Sequence, residues 1–306
     1  AKPLLALAQG PFPVLGARFI DRIGKGLRGA PRDALVADLT PPELRGRAYG
    51  LRQALDTVGA LVGPLLAIGL MMAFAGDMRA VFAWAIVPGV IAVALVVFGI
   101  EGAGRSAAPG PARVPLRVSD LRQLPAAFWA VTGIGVIFTL ARFSEAFLVL
   151  RAHDAGLPIA LAPLVLVVMN TVYSAGAYPA GALSDRIGTH RLMLASLASL
   201  IAADLLLAFA GGLPTVFAGL GLWGLHMALS QGLLAKLIAQ HSPQAMRGSA
   251  FGLFNLASGL ALLVASVLAG LLWDHGGAAW TFLAGAGFAA TAAAGLVALR
   301  GTLARG

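Results

Sequence analysis

Long stretches without a charged residue alternate along this chain with short polar turns. Residues 80–100, AVFAWAIVPGVIAVALVVFGI, hold no charge over 21 positions. A helix of about 20 apolar residues covers the ~30 Å hydrocarbon core of a bilayer. Residues 192–203, 213–235, 248–273 and 276–299 read the same way. The runs are continuous rather than alternating, so they predict helices and not the strands of a barrel, because lipid offers backbone polar groups no partner outside the segment. Between the turns, nine helices are predicted at 12–38, 45–75, 79–100, 125–150, 157–183, 189–211, 213–240, 247–273 and 277–300, with residues 1–9 read as the end of another.

One connection is long and polar. Residues 101–124, EGAGRSAAPGPARVPLRVSDLRQL, are rich in Pro, Gly and Arg and predict a linker. The expected division is an N-terminal bundle at 1–100, a linker at 101–124 and a C-terminal bundle at 125–306. A repeat agrees with it: RGRAYGL at 45–51 returns as RGSAFGL at 247–253, each opening a helix after a polar turn. Carried to the start of the second bundle, the same offset places the start of the first well upstream of Ala1. The expectation is therefore a six-plus-six arrangement from which the first two and a half helices are missing, with about nine and a half of twelve present.

Composition makes the reading firmer. The chain is 59% hydrophobic and only 11% charged, where a soluble domain carries about 25% charged residues. This is an all-α polytopic membrane protein. A net charge of +9 raises the question of nucleic acid, and the placement of the cations answers it. Segments that alternate connections put on one side hold eleven: Arg45, Arg47, Arg105, Arg113, Arg117, Arg122, Arg186, Arg191, Arg247, Arg300 and Arg305. The opposite connections hold two, Arg79 and Arg151. That asymmetry follows the positive-inside rule and predicts a cytoplasmic C-terminus, so the partner of the basic segments is the bilayer and no nucleic acid is implied. There is no cysteine, and the five histidines lie far apart without ligand spacing, so no metal and no metal enzyme are expected.

The charges inside the predicted helices carry the candidate chemistry. Within 17–38, ARFIDRIGKGLRGAPRDALVAD, the residues Arg18, Asp21, Arg22, Lys25, Arg28, Arg32 and Asp33 fall within an arc of about 140° on a helix. A charge facing lipid near the bilayer centre costs at least ~2.5 kcal/mol, so the stripe faces the bundle interior or a water-filled cavity. On the next helix Arg45, Arg52 and Asp56 share one face. Arg18, Asp21, Arg22, Arg52 and Asp56 are the candidate solute and proton path, with Asp56 as a proton carrier. The competing reading is internal ion pairing that fixes helix packing, and it is favoured for Lys25, Arg28 and Arg32. Further on, Arg142 and Glu145 lie three apart in FTLARFSEAFLVL, either a pair facing the cavity or a capping pair near the outer end. Asp204 is an isolated acid in an apolar run. His226, Gln231 and Lys236 share a Gly-rich helix, where His226 reads as a packing residue. GKGLRG lacks the spacing of a phosphate loop, which excludes nucleotide binding and leaves no cofactor expected.

Residues 181–191, GALSDRIGTHR, resemble a loop signature of the major facilitator superfamily of secondary transporters, with Gly181, Asp185, Arg186, Gly188 and Arg191 at its characteristic positions. Residues 59–67, GALVGPLLA, are similar to that family's fifth-helix antiporter motif through Gly59, Gly63 and Pro64, with Ala67 in place of its final Gly. Arg18 followed by Gly24 resembles a fourth-helix pattern. The resemblance implies two helix bundles that rock about a mid-membrane site, with the loop signature as a cytoplasmic gate and Gly59, Gly63 and Pro64 as a helix-packing motif. It implies no enzyme, but a monomeric, multi-pass transporter of a prokaryotic inner membrane that moves a small organic solute, anionic or amphiphilic, by proton-coupled antiport. An organic-anion uptake symporter and a non-transporting membrane sensor on the same fold remain open alternatives.

Overall fold

The computed structural model describes residues 4, 11–75, 77–99 and 124–298. Helices account for its regular structure, and no strand occurs among these residues. In chain order they are α1 (Pro11–Leu39), α2 (Arg45–Ala73), α3 (Met78–Trp84), α4 (Ile86–Gly99), α5 (Ala126–Leu140), α6 (Ala146–Asp154), α7 (Ala162–Ile187), α8 (Thr189–Ala208), α9 (Leu213–Gln240) and α10 (Arg247–Ala298). Among the described residues, four segments, Ala162–Ile187, Thr189–Ala208, Leu213–Gln240 and Gln244–Ala298, are long and apolar enough to cross a membrane. Most of the expected linker, 101–123, lies outside the described residues, as does 1–9 apart from Leu4.

The chain forms two compact units, one from residues 1–29 with 62–117 and the other from residues 30–61 with 118–306. In the first, Met72, Val93, Leu95 and Phe98 are exposed, an apolar surface suited to lipid. In the second, α8 packs on α9 and α10, α9 on α7, and α5 on α10. Phe128, Phe138, Leu148, Met169, Leu197, Leu207, Trp223, Phe251 and Phe282 are buried within it. Outward residues of α10, including Leu256, Leu260, Leu263 and Val267, are exposed. Apolar inside and apolar outside is the pattern of helices solvated by lipid.

Three expected boundaries differ from the structure. The helix predicted at 125–150 is interrupted between Leu140 and Ala146. Arg142 N–H turns to the Thr139 carbonyl at 3.1 Å, and the Ser144 hydroxyl accepts from Ala146 N–H at 3.3 Å, so a serine side chain replaces the helical ladder there. The helix predicted at 79–100 is divided at Ala85 into α3 and α4. Conversely, 247–273 and 277–300 join in α10 across a sharp kink at Gly277, whose φ of 71° suits a residue without a Cβ.

The two copies of the repeat fold alike. Each begins a helix at its arginine, Arg45 or Arg247, and each follows a 3₁₀ turn, Pro42–Leu44 or Gln244–Met246. Their aromatic positions, Tyr49 and Phe251, are both buried, with ring centroids 6.3 Å apart.

Close helix contact occurs where the first copy meets α7. A Cβ on Gly50 would stand 2.6 Å from the Ala177 carbonyl oxygen, and Cβ atoms on Gly46 or Gly181 would collide with the facing backbone. At Gly59 and Gly63 a Cβ would meet nothing within 4 Å among the described residues, and the Pro64 side chain lies outside the described residues. Gly50→Ala is therefore expected to cost about 1–3 kcal/mol by overpacking and to lower the midpoint of thermal unfolding in detergent. Gly59→Ala, measured alongside, is expected to leave it unchanged or raise it.

Candidate functional site

At one end of α7, Gly188 turns the chain into α8 with a φ of 90°, a conformation that favours glycine. The turn leaves Asp185 against the first residues of α2. Its Oδ1 accepts from the Gly46 N–H and its Oδ2 from the Arg47 N–H, both at 3.0 Å. Lys236 of α9 donates to Oδ1 at 2.7 Å and to the Ser184 hydroxyl at 3.1 Å. The side chains of Asp185 and Lys236 are only 5% and 6% exposed. A buried carboxylate here is held by the positive end of one helix and by a cation from another. Gly181 lies buried in the same contact and Ser184 donates to its carbonyl at 2.7 Å. Arg186, Gly188 and Arg191 are exposed. Beside Asp185 lies a cavity of about 530 Å³ whose lining includes Glu43, Thr189, His190, Lys236 and His241. Lys236 is the residue that sequence reasoning left without a role. Its signal was a lone cation in an apolar helix, which requires an acid.

The same end holds a second tie, an ion pair between Arg247 at the start of α10 and Asp38 near the end of α1.

Further along α1 and α2, four charges form a network. Arg32 Nη1 lies 3.2 Å from Asp56 Oδ2, and Arg32 Nε lies 3.3 Å from Asp33 Oδ1. Arg52 Nη1 reaches Asp33 Oδ1 at 2.9 Å and Asp56 Oδ2 at 3.6 Å. Tyr49 donates its hydroxyl to the Asp33 carbonyl at 2.7 Å, fixing α1 against α2 at that level. Arg52 is largely buried, at 17% side-chain exposure, while the Asp56 carboxylate is 47% exposed. Asp56 is thus paired and accessible together. Arg32, which sequence reasoning assigned to packing or headgroups, is its second cation, and Asp33 completes the set. The side chains of Arg18, Asp21 and Arg22 lie outside the described residues.

Arg142 sits in the break between α5 and α6. The Gln231 amide of α9, oriented with its oxygen toward the guanidinium, accepts from Arg142 Nη2 at 3.0 Å. Arg142 and Glu145 line one cavity of about 300 Å³ with Ser144 and Ser266. The helix stops before Arg142, so the two residues do not share one continuous helix; they face the same cavity, and Gln231 supplies a partner for the guanidinium. His226 is buried, its Nδ1 2.9 Å from the Ser196 hydroxyl and its ring stacked on Phe138 at 4.9 Å, the environment of a packing residue.

With this geometry in view, the relatives are informative. The family model described as Major Facilitator Superfamily matches residues 3–172 and 136–304. An uncharacterised MFS-type transporter of Methanocaldococcus jannaschii is 30% identical over 283 residues, covering 89% of this chain and 68% of that protein. The crystal structure of the human organic anion transporter MFSD10 (TETRAN) superposes with a TM-score of 0.71 at 19% identity, over 96% of this chain and 73% of that one. A shorter match joins 22% of the chain to 17% of the multidrug resistance protein MdtH of Proteus mirabilis, 38% identical over 69 residues.

Lys236→Met strips a buried carboxylate of its cation and is expected to destabilise the protein by roughly 3 kcal/mol. Adding Asp185→Asn to that variant is expected to restore part of the loss, whereas Arg186→Gln, on the exposed side, changes little. Denaturant titration in mixed micelles reads all three.

Proposed function

The chain belongs to the major facilitator superfamily of secondary transporters, integral multi-pass membrane proteins, and from that premise we propose that it exports a small organic solute in exchange for protons. The observation that carries this reading is the half-exposed Asp56, paired to Arg32 and Arg52 on two neighbouring helices. A carboxylate in that position binds either a proton or a cationic or hydrogen-bonding group of a solute. Mutual exclusion of the two at one acid is the condition for exchange. The partial likeness to a protein named for multidrug resistance supports export of an amphiphile.

In this reading Arg18, Asp21, Arg22, Arg142 and Glu145 belong with Asp56 to the solute and proton path. The contact of Asp185 and Lys236 with the start of α2 closes the cytoplasmic end, and the C-terminus lies in the cytoplasm of a prokaryotic cell. The division into bundles at 1–100 and 125–306, with Gly59, Gly63 and Pro64 easing motion of α2 and one protomer as the working unit, belongs to the same proposal.

A second reading has its own support, in the arginines Arg32, Arg52 and Arg142 and in the fold shared with a protein described as an organic anion transporter. An anion that takes Arg32 and Arg52 from Asp56 leaves that acid to accept a proton, so anion and proton bind together and move together. The sign of the coupling thus follows the charge of the solute.

Proteoliposomes with a pH dye inside separate the two. Amphiphilic cations are expected to drive protons opposite to their own movement, and Asp56→Asn to abolish proton movement. Organic anions that carry protons in their own direction would establish the second reading, and a protein that moves neither solutes nor protons would exclude both.

A further inference from the structure

Asp204 lies on α8, wholly buried at 0% exposure, and neither of its carboxyl oxygens has a hydrogen-bond partner among the described residues. Its surroundings are specific. A point one Cβ bond from Gly285 of α10 is 2.8 Å from Asp204 Oδ2, 3.1 Å from the Phe143 ring and 3.3 Å from the Ala141 carbonyl oxygen. Gly285 therefore leaves room for the acid to face the break between α5 and α6. At that break the Ala141 carbonyl receives no hydrogen bond among the described residues. Phe143 in turn contacts Trp223 and Phe282, with ring centroids 5.5 and 5.4 Å away, and the Trp223 Nε1–H is also buried without a partner.

Of the basic residues on the surrounding helices, Arg191 of α8 is exposed and Arg247 of α10 pairs with Asp38. Arg142 turns to Gln231. Arg151 of α6 donates to the Leu207 and Ala210 carbonyls, each at 2.7 Å. On α9, Lys236 is bound to Asp185 and His226 to Ser196. Glu145 lines the cavity with Arg142, and no ion pair reaches Asp204 among the described residues. An ionised carboxylate buried with no cation and no protein donor is costly. Two acid oxygens and one free carbonyl are too few to replace the coordination shell of a metal cation, which takes about six, but they suit a single proton shared between a carboxyl and a carbonyl.

We propose that Asp204 is a second proton-binding carboxyl, separate from Asp56, with the free Ala141 carbonyl at the break between α5 and α6 as the acceptor for its acid O–H. The site sits among helices α5, α8, α9 and α10, so a rearrangement of the break changes what the proton bonds to. It is independent of the solute and of the sign of coupling.

Infrared difference spectroscopy of the full-length protein in lipid, with and without carbon-13 aspartate, tests this directly. The wild type is expected to show an undissociated carboxylic acid band that shifts with the label at neutral pH, to keep it in Asp56→Asn and to lose it entirely in Asp204→Asn. Gly285→Ala, which presses a methyl group on Oδ2 while leaving the acid in place, is expected to displace the band, and this variant decides the matter if Asp204→Asn does not fold. Absence of the band in the wild type, its survival in Asp204→Asn, or an unmoved band in Gly285→Ala would overturn the proposal. Thermal stabilisation by sodium but not potassium that disappears with Asp204→Asn would also overturn it, in favour of a metal-cation site.

Discussion

A charge taken out of water must be met by other charges, and among the described residues Asp185 meets that demand most completely. Its two oxygens take the first N–H groups of α2 and the ammonium of Lys236. A helix of the second repeat-bearing half, a turn made by Gly188 and the opening of α2 are thereby held at one point. The glycines around it follow from the same demand, since Gly46, Gly50 and Gly181 remove the side chains that would keep the backbones too far apart for these bonds. Acid, lysine and glycines act as a unit.

Charge neutralisation also organises the rest of the polar interior, with a different outcome at each place. At Asp56 two arginines answer one carboxylate that remains half open, so the pairing can be exchanged for another ligand at modest cost. At Arg142 the answer is a neutral amide from Gln231, which satisfies the guanidinium's geometry without cancelling its charge. His226 is met by a serine and stacked on Phe138, which leaves it fixed. The degree of compensation separates structural groups from groups that are free to change partner.

Much of the fold was legible because lipid imposes a simple rule. Continuous apolar runs such as 213–235 have to be helices, and the repeat RGRAYGL and RGSAFGL marks equivalent helix starts in the sequence itself. The break at 141–145 was not legible. It contains neither proline nor glycine, and it depends on the Ser144 hydroxyl and on Gln231, a partner far along the chain. The pairing of Asp185 with the Gly46 N–H joins residues 139 apart. The loop motif identified Asp185, but only the folded helices could supply its partners. Arg32 and Asp33 were hidden for a related reason: a helical stripe shows which residues share a face, not which charge on the next helix each one meets.

The two candidate regions meet on α2. Gly46 and Arg47 contact Asp185 at its beginning, while Arg52 and Asp56 lie further along the same helix. At 1.5 Å per residue, Asp56 is about 15 Å from Gly46 along the axis, and no proline or kink lies between them. A hydrogen-bonded helix transmits displacement over that length without needing a chain of side-chain contacts. In the proposed transport cycle, release of the α2 N-terminus from Asp185 would therefore shift Arg52 and Asp56 against Arg32 and Asp33 on α1. In that cycle, opening of the gate and exchange of partners at Asp56 are then two ends of one rigid-body movement. Reciprocity requires that a ligand which separates Asp56 from its arginines also biases the contact at Asp185, to the extent that it binds the two arrangements unequally.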